Sequence, residues 1–378
     1  MKKKLTIITH TLHKIEKNNI FAYEPYVREI NLWGEHVDEF ILLAPKTLDE
    51  INPIEVAYKH PKVKFVEIPA FNITSLKNII KSIFIVPIIV WEIFSVMNKA
   101  DHIHLRCPGN IGLLGCFVQI FFPKKPKTAK YAGNWDPKSK QPLSYRLQKW
   151  MLSNTFLTRN CKVLVYGEWE NQSKNIVPFF TASYKESEIV DIQEKNLNNE
   201  INFMYVGAFS KGKQPLLSVK AVEKLKNEGF NVKLNMYGFG DEFTIVKEYI
   251  ETNSLTNTVF LHGNKSKEDV KQAYKQAHFL LFISKSEGWP KVVAEAMFWS
   301  CLPISSPVSC VPFMLDYGNR GVLVESDVNL IVSKIKELVK NQTAYQLKIE
   351  EAKKWSQKYT LELFSNSIKE LLINKISL

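Results

Sequence analysis

No C-x-x-C pair occurs anywhere in the 378 residues, and the five cysteines (Cys107, Cys116, Cys161, Cys301, Cys310) are widely spaced and odd in number. That argues against a disulfide framework and a structural zinc site, and points to a reducing compartment. Long apolar runs are missing too. The longest is residues 83–91, nine residues with Pro87 inside, whereas a bilayer-spanning helix needs about 20. Residues 1–9 are basic with few apolar positions, and His10, His13 and Lys14 follow, so they read as a first β-strand and not as a signal peptide. A Walker loop, a G-x-S-x-G elbow, a D-x-D pair in a chelating setting and ligand-spaced histidines are all absent. P-loop hydrolysis and serine-elbow chemistry are thereby excluded, and a metal-independent reaction is expected.

What is present is an ordinary globular composition, 45 % hydrophobic and 23 % charged, long enough for two domains with cores of their own. The net charge of +12 is uneven: residues 1–190 hold 26 Lys+Arg against 17 Asp+Glu, and residues 191–378 hold 24 against 21. A basic balance suits nucleic acid, an anionic membrane or an anionic substrate, and equally a merely solvated lysine surface.

Short β-branched and aromatic runs at 5–9, 39–44, 63–68, 102–105, 128–132 and 162–166 alternate with segments of helical length such as 21–33 and 76–98. Residues 186–202 are polar, Asn-rich and aperiodic, the best linker candidate. The alternation then restarts, with strands at 203–207, 232–237, 259–262, 279–284 and 302–305. Helices fall at 214–227, 241–252, 266–276 and 290–299, the third opened by a capping-box-like Ser266-x-x-Asp269. Strand–helix–strand alternation means parallel βαβ units. The expected fold class is α/β: two doubly wound Rossmann-like domains facing across a cleft, over residues 1–190 and 191–355. A helix within 356–378 either caps the second or returns to the first.

The most informative segment is Ser284-Lys-Ser-Glu-Gly-Trp-Pro-Lys-Val-Val-Ala-Glu-Ala-Met297. A buried strand ends in a small-residue loop, and Pro290 stands at the first helical position, where its missing N–H costs nothing. Loop and helix start make an anion site suited to phosphate, to which Lys291 adds charge. Glu287 precedes the helix, and Glu295 lies about five residues into it, ~7.5 Å along the axis. Carboxylates accept hydrogen bonds from paired hydroxyls, so both suit a ligand carrying a ribose, a diphosphate and a sugar. The alternative is that Glu287 caps the helix and Glu295 is simply exposed.

This segment resembles the E-x7-E signature of retaining GT-B glycosyltransferases of the family-4, group 1 type. Val206-Gly207 with Lys213 looks like the family's V-G-R-x-x-x-x-K-G loop, and Tyr237-Gly-Phe-Gly-Asp241 like its G-x-G loop with Gly238 and Gly240. Phe260-Leu-His-Gly263 looks like its F-x-G strand end, and residues 305–315 like the loop after its next strand. The resemblance covers residues 200–325 well and the first half by architecture only. It implies that Glu287 contacts donor-sugar hydroxyls, Glu295 holds the ribose, and Lys213 neutralises the departing diphosphate in place of a metal ion. Gly207, Gly238, Gly240, Gly288, Trp289, Pro290, Lys291 and Val292 would line the donor site. Lys211 lies two residues from Lys213 and is the competing cation. The sequence departs from the pattern at Ala208, where the family has an arginine, with Arg106 and Arg320 as candidate substitutes. Ser300, preceded by Phe298 and Trp299, replaces a glycine, and the glycine pair after the first strand is replaced by Thr9-His10-Thr11-Leu12-His13.

In the first half, Arg106 follows a strand and precedes Pro108-Gly109, so it emerges at the crevice edge or is an ordinary loop arginine. His104 alternates with inward residues and is expected in or near the core. Asn134 and Asp136 follow another strand and suit hydroxyl binding on the acceptor side, although Asp136-Pro137 is also a common turn start. Residues 73–99, carrying Lys77, Lys81 and Lys99, and residues 111–127 mix apolar faces with lysines, as at a membrane interface. For residues 83–90 burial is the preferred reading, and Lys124-Lys125-x-Lys127 is the candidate lipid contact. The leading expectation is a cytoplasmic enzyme at the inner face of the plasma membrane. It would move a sugar from a UDP- or GDP-linked donor, with no other cofactor, to a glycan or lipid-linked acceptor in cell-surface polysaccharide synthesis. The alternatives are a sugar-nucleotide epimerase, a small-glycoside synthase, or a non-catalytic RNA- or lipid-binding protein. No RNP, KH or helix-turn-helix pattern accompanies the charge, so nucleic acid is not the expected partner.

Overall fold

The computed structural model describes residues 3–52, 54–70 and 76–373, the side chains of 76–83 excepted. The chain divides into two compact units, Met1–Phe179 with Phe364–Leu378, and Phe180–Leu363.

The first unit opens with β1 (Lys4–Ile8), then β2 (Lys14–Glu16), β3 (Asn19–Tyr23), α1 (Glu24–Gly34), β4 (Glu39–Pro45), β5 (Glu55–Ala57) and β6 (Val63–Ile68). It continues with α2 (Leu76–Lys99), β7 (His102–Cys107), α3 (Asn110–Val118), β8 (Lys127–Tyr131), α4 (Leu143–Ser153), β9 (Cys161–Val165) and β10 (Ile176–Pro178). Seven strands form one parallel sheet in the order β10-β9-β8-β7-β1-β4-β6. Runs such as Phe40–Pro45 and Leu5–Ile8 are buried on both faces, which is why they read as continuous apolar segments without alternation. The segment expected to be helical over 21–33 is divided: β3 pairs with β2 and β5 in a three-stranded antiparallel sheet, and the helix starts at Glu24.

Three histidines are sealed inside this unit. His13 Nδ1 lies 2.7 Å from the Thr11 carbonyl, which can only accept, so Nδ1 carries the proton and Nε2 accepts from the Tyr58 hydroxyl at 2.8 Å. His102 and His104 share the Thr128 hydroxyl at 3.0 and 2.8 Å. Burial pulls His13 down to about 4 and His102 to about 3, and holds His104 well below its ordinary range. Unfolded, each ring takes a proton below about pH 6.5. Folded, His13 and His102 refuse it until far lower. Their stabilisation is therefore complete above pH 6.5 and is lost as the pH falls towards 4. The two together should steepen the loss to at most about 3 kcal/mol per pH unit in that window. Urea unfolding of wild type and His102→Gln at pH 7.5, 6 and 5 reads this, and parallel pH slopes for the two proteins would remove His102 from the account.

The second unit contains β11 (Ile201–Val206), α5 (Pro215–Asn227), β12 (Val232–Tyr237), α6 (Phe243–Thr252), β13 (Val259–Gly263), α7 (Lys267–Gln276) and β14 (Phe279–Phe282). After these come α8 (Lys291–Phe298), β15 (Leu302–Ser305), α9 (Val311–Met314), β16 (Val322–Leu323), α10 (Val328–Val339) and α11 (Gln342–Ser356). Its six strands are parallel in the order β13-β12-β11-β14-β15-β16. Ser266 and Asp269 close the capping box that their spacing suggests at the start of α7. The polar stretch 186–202 is not a loose linker throughout. Lys195 is buried and donates to the carbonyls of Tyr274, Ala277 and Trp299 at 3.0, 2.6 and 3.2 Å, capping the C-terminal ends of α7 and α8. Burial lowers this lysine to about 8. The last helix, α12 (Leu361–Ile373), belongs to the first unit from Phe364 onward, where Phe364 packs on Phe179 and Ser365 meets His36 at 2.8 Å.

Candidate active site

In a doubly wound sheet the ligand crevice opens at the C-terminal ends of the strands, where the connections part to opposite sides. In the second unit that point lies between β11 and β14. The loops there are joined by hydrogen bonds: Lys285 N–H to the Gly212 carbonyl at 2.9 Å, and Ser284 Oγ to the same carbonyl at 3.3 Å. The Ser306 hydroxyl, after β15, accepts from Ser284 N–H at 3.1 Å. This joining brings Lys213 against Glu287, whose carboxylate it contacts directly as an ion pair. Glu287 is nearly covered, while Lys213 is about a quarter open and lies over the Phe282 ring at 4.8 Å. Lys213, and not Lys211, makes this pair; Lys211 is exposed.

The glycines of the neighbouring loops permit the approach of backbones. A Cβ on Gly238 would stand 1.9 Å from the Gly207 carbonyl oxygen, and one on Gly240 would stand 2.6 Å from that of Phe209. Gly207 N–H donates to the Tyr237 carbonyl at 3.0 Å, so the ends of β11 and β12 meet without side chains between them. At the family's arginine position, the Ala208 carbonyl accepts from the Tyr205 hydroxyl at 2.8 Å. Burial, with Glu287 nearby, keeps that phenol protonated. Arg320, one candidate substitute, is paired with Asp316 at 3.6 Å and lies over Trp355.

Helix α8 begins at Lys291, with Pro290 as its N-cap residue, one position later than the sequence suggests. The Gly288 carbonyl accepts from Ser309 Oγ at 3.2 Å and Cys310 Sγ at 3.1 Å, holding the loop before the helix. Trp289 stacks on Trp355, so it supports the loop from beneath, and Val292 follows in the first turn. About one turn into the helix, Glu295 accepts from the Ser183 hydroxyl at 2.6 Å and from the Tyr274 hydroxyl at 3.4 Å. Burial and the Glu295 charge raise the Tyr274 phenol well above its ordinary range, so it stays a donor. A carboxylate offers about four lone-pair sites, so two remain for ligand hydroxyls. Ser183 and Tyr274 were invisible as partners: one lies beside the presumed linker, the other in an ordinary helix. Ser300, where the family has glycine, takes φ +55° just after α8, a conformation that glycine adopts without strain.

In the first unit, Arg106 does not stand at a crevice edge with a free guanidinium. It is buried, paired with Glu29 at 2.5 Å and stacked on the Tyr26 ring. Asn134 Oδ1 accepts from the Asp136 N–H at 2.9 Å, and Asp136 Oδ1 from the Lys138 N–H at 2.8 Å, so both side chains serve a turn. His104 is in the core, as expected. No group of three or more His, Cys, Asp or Glu able to hold a metal ion occurs among the described residues.

Residues 187–358 match the family model described as glycosyl transferases group 1. These residues are similar to that family and make up a little under half of the chain. The matched segment covers nearly all of the second unit, including Lys213, Glu287 and Glu295. Across 175 residues the chain is 30 % identical to an uncharacterized glycosyltransferase of Methanocaldococcus jannaschii, covering 45 % of this chain and 48 % of that one. Across 152 residues it is 28 % identical to the poly(glycerol-phosphate) alpha-glucosyltransferase of Bacillus subtilis, covering 38 % and 21 %. The matches thus span about half of one relative and a fifth of the other. The solved structure of Anabaena HepE in complex with UDP and glucose superposes with a TM-score of 0.67 at 12 % identity, over 98 % of this chain and 99 % of that one. The fold shared is GT-B, two Rossmann-like units in series.

Proposed function

We propose that the protein is a metal-independent, retaining glycosyltransferase that takes a UDP- or GDP-linked sugar and delivers it to a glycan or lipid-linked acceptor. The observation that carries this reading is the Lys213–Glu287 pair at the switch point of the second sheet, with Glu295 on the helix that starts beside it. In the reaction, the bond from the sugar's anomeric carbon to the diphosphate breaks and a bond to the acceptor oxygen forms on the same face. The acceptor's proton leaves with the diphosphate. Lys213 offsets the charge that develops on the leaving group, the first-turn amides of α8 add to it, and Glu287 orients sugar hydroxyls. Glu295 accepts ribose hydroxyls at the lone pairs that Ser183 and Tyr274 leave open. The relatives support the substrate class: one name specifies glucosyl transfer to a poly(glycerol-phosphate), and one structure contains UDP and glucose.

A thermal-shift screen with UDP-, GDP- and ADP-sugars tests the donor. A ligand at about 100 times its Kd adds about 2.7 kcal/mol, or roughly 5–10 °C for a unit of this size. One nucleotide class should give that rise and the others little. A flat response to all three sinks the reading.

A further inference from the structure

Helices α2, α3 and α4 connect β6, β7, β8 and β9, and each step from β7 onward moves one strand along the sheet in the same direction. Right-handed crossovers therefore lay all three helices side by side on one face, each antiparallel to the strands. Their C-terminal ends gather at the edge where the strands begin, opposite the edge at which a doubly wound sheet binds ligands. The outer face of this helical layer is unusually aromatic and open, most densely toward that end. Phe84 (73 % exposed) and Ile88, in the middle of α2, lead to Trp91 (69 %) at i, i+4 and i+7; on α4 the same spacing runs from Leu143 at the helix start through Leu147 to Trp150 (59 %) in its last turn. Phe117 lies between them on α3, and Phe121 (72 %) and Phe156 (71 %) follow α3 and α4. Trp91, Phe94 and Phe121 form a continuous chain of rings, with centroids 6.5 and 6.4 Å apart. Of the run 83–90, for which burial is the preferred reading, Ile89 is buried in the core and Ile85 and Val90 pack against it, whereas Phe84 and Ile88 are exposed; residue 83, Lys77 and Lys81 lie outside the described side chains.

Charge follows the same edge. Each of the three helix-to-strand turns carries an exposed cation: Lys99 before β7, Lys124 before β8 and Arg159 before β9, the last stacked on Phe156 at 4.5 Å. Lys127, expected to face lipid, is buried and donates to the Phe122 carbonyl at 2.7 Å; Lys125 holds the carbonyls at the end of α2. From residue 110 to 160 the chain has nine lysines and arginines against one acid, Asp136. The exposed Asp101 is engaged by the Lys4 N–H at 2.9 Å, and Glu92 on α2 is half-buried.

We propose that this end of the three-helix face docks on an anionic lipid bilayer. The aromatic rings would sit among the headgroups, and Lys99, Lys124 and Arg159 would lie against lipid phosphates. The indole N–H groups of Trp91 and Trp150 suit that depth while the phenylalanines add apolar area, and each cation near an anionic surface strengthens binding about fivefold. No helix among the described residues is long and apolar enough to cross a membrane, so the contact is with the surface only. A protein partner, including a second copy of the chain, is less favoured because the patch offers cations on every turn and scarcely any free acid to pair them.

The inference stands apart from the proposed sugar transfer. The full chain is centrifuged with vesicles of phosphatidylglycerol and phosphatidylcholine mixed equally, and with phosphatidylcholine alone. Wild type should bind the anionic vesicles at least tenfold more tightly. Trp91→Ser with Phe121→Ser should weaken that binding about tenfold or more, and Lys124→Glu with Arg159→Glu by more still. Both variants change exposed positions, and their melting temperatures and nucleotide-induced shifts should match wild type. Two results overturn the proposal: binding unchanged in the aromatic variant, or no binding of wild type to the anionic vesicles, in which case self-association abolished by this variant would assign the face to a second copy of the chain.

Discussion

Glu287→Gln is expected to lower sugar transfer by about 10²–10³-fold, the usual cost of removing one preorganised electrostatic or hydrogen-bonding group from the reacting centre. The substitution keeps the shape of the side chain and the loop bonds through Gly212, Ser284 and Ser306. What it removes is the charge that holds Lys213 in place. In the structure that lysine is a quarter open and contacts only one carboxylate among the described ion pairs. Released, the ammonium samples other rotamers and arrives at the diphosphate with its position unset. The loss should therefore fall mainly on kcat, since Glu295 and the loops around Gly207 and Gly238 still bind the nucleotide. Lys213→Met should fall further, because the cation itself is gone. Initial rates with the donor identified by the thermal screen read both variants. Transfer by Glu287→Gln at near wild-type rate, with nucleotide binding intact, would displace Glu287 from the reaction.

The parts of this site that were legible in the sequence are those encoded by local spacing. The E-x7-E interval places Glu287 before a helix and Glu295 within it whatever the rest of the chain does, because the rise per residue is fixed. The parallel strands were legible for a similar reason: burial on both faces forces a run of apolar residues, as at Phe279–Phe282. What escaped depends on distant partners. The motif's spacing singles out Lys213 over Lys211, but that it pairs with Glu287 is set by hydrogen bonds between two loops some 70 residues apart. Ser183 reaches Glu295 from a stretch with no periodic signal. The antiparallel sheet of β2, β3 and β5 has two strands of three residues each, too short for a period to show. The run at 83–90 reads as core because apolar composition does not say which face a neighbour covers: Ile89 is buried with Ile85 and Val90 against the core, while Phe84 and Ile88 on the other face are exposed.

Arg106 shows the same limit from the other side, and it leads to the largest stability effect expected here. Its place at the end of a central strand suggested an exposed cation, yet Glu29, on α1, meets it at 2.5 Å. Burial opposes its charge, but the Glu29 carboxylate, with Tyr26 and Tyr166, more than offsets that and raises the guanidinium above its ordinary pKa. An arginine so placed cannot shed its proton when its partner is removed. Glu29→Ala should therefore destabilise the first unit by about 3–5 kcal/mol, the usual cost of stranding one charge of a buried pair. For a unit of this size that is a fall in melting temperature of roughly 10 °C or more. Arg106→Met with Glu29→Leu removes both charges and keeps most of the volume, so it should recover most of the loss; replacing a buried pair by apolar groups is often neutral. Urea unfolding of the single and double variants measures the coupling between them. A single variant as stable as wild type would mean that the pair is hydrated in solution and contributes nothing. A double variant worse than Glu29→Ala would mean that the Arg106–Tyr26 stacking, and not the ion pair, holds α1 to the sheet.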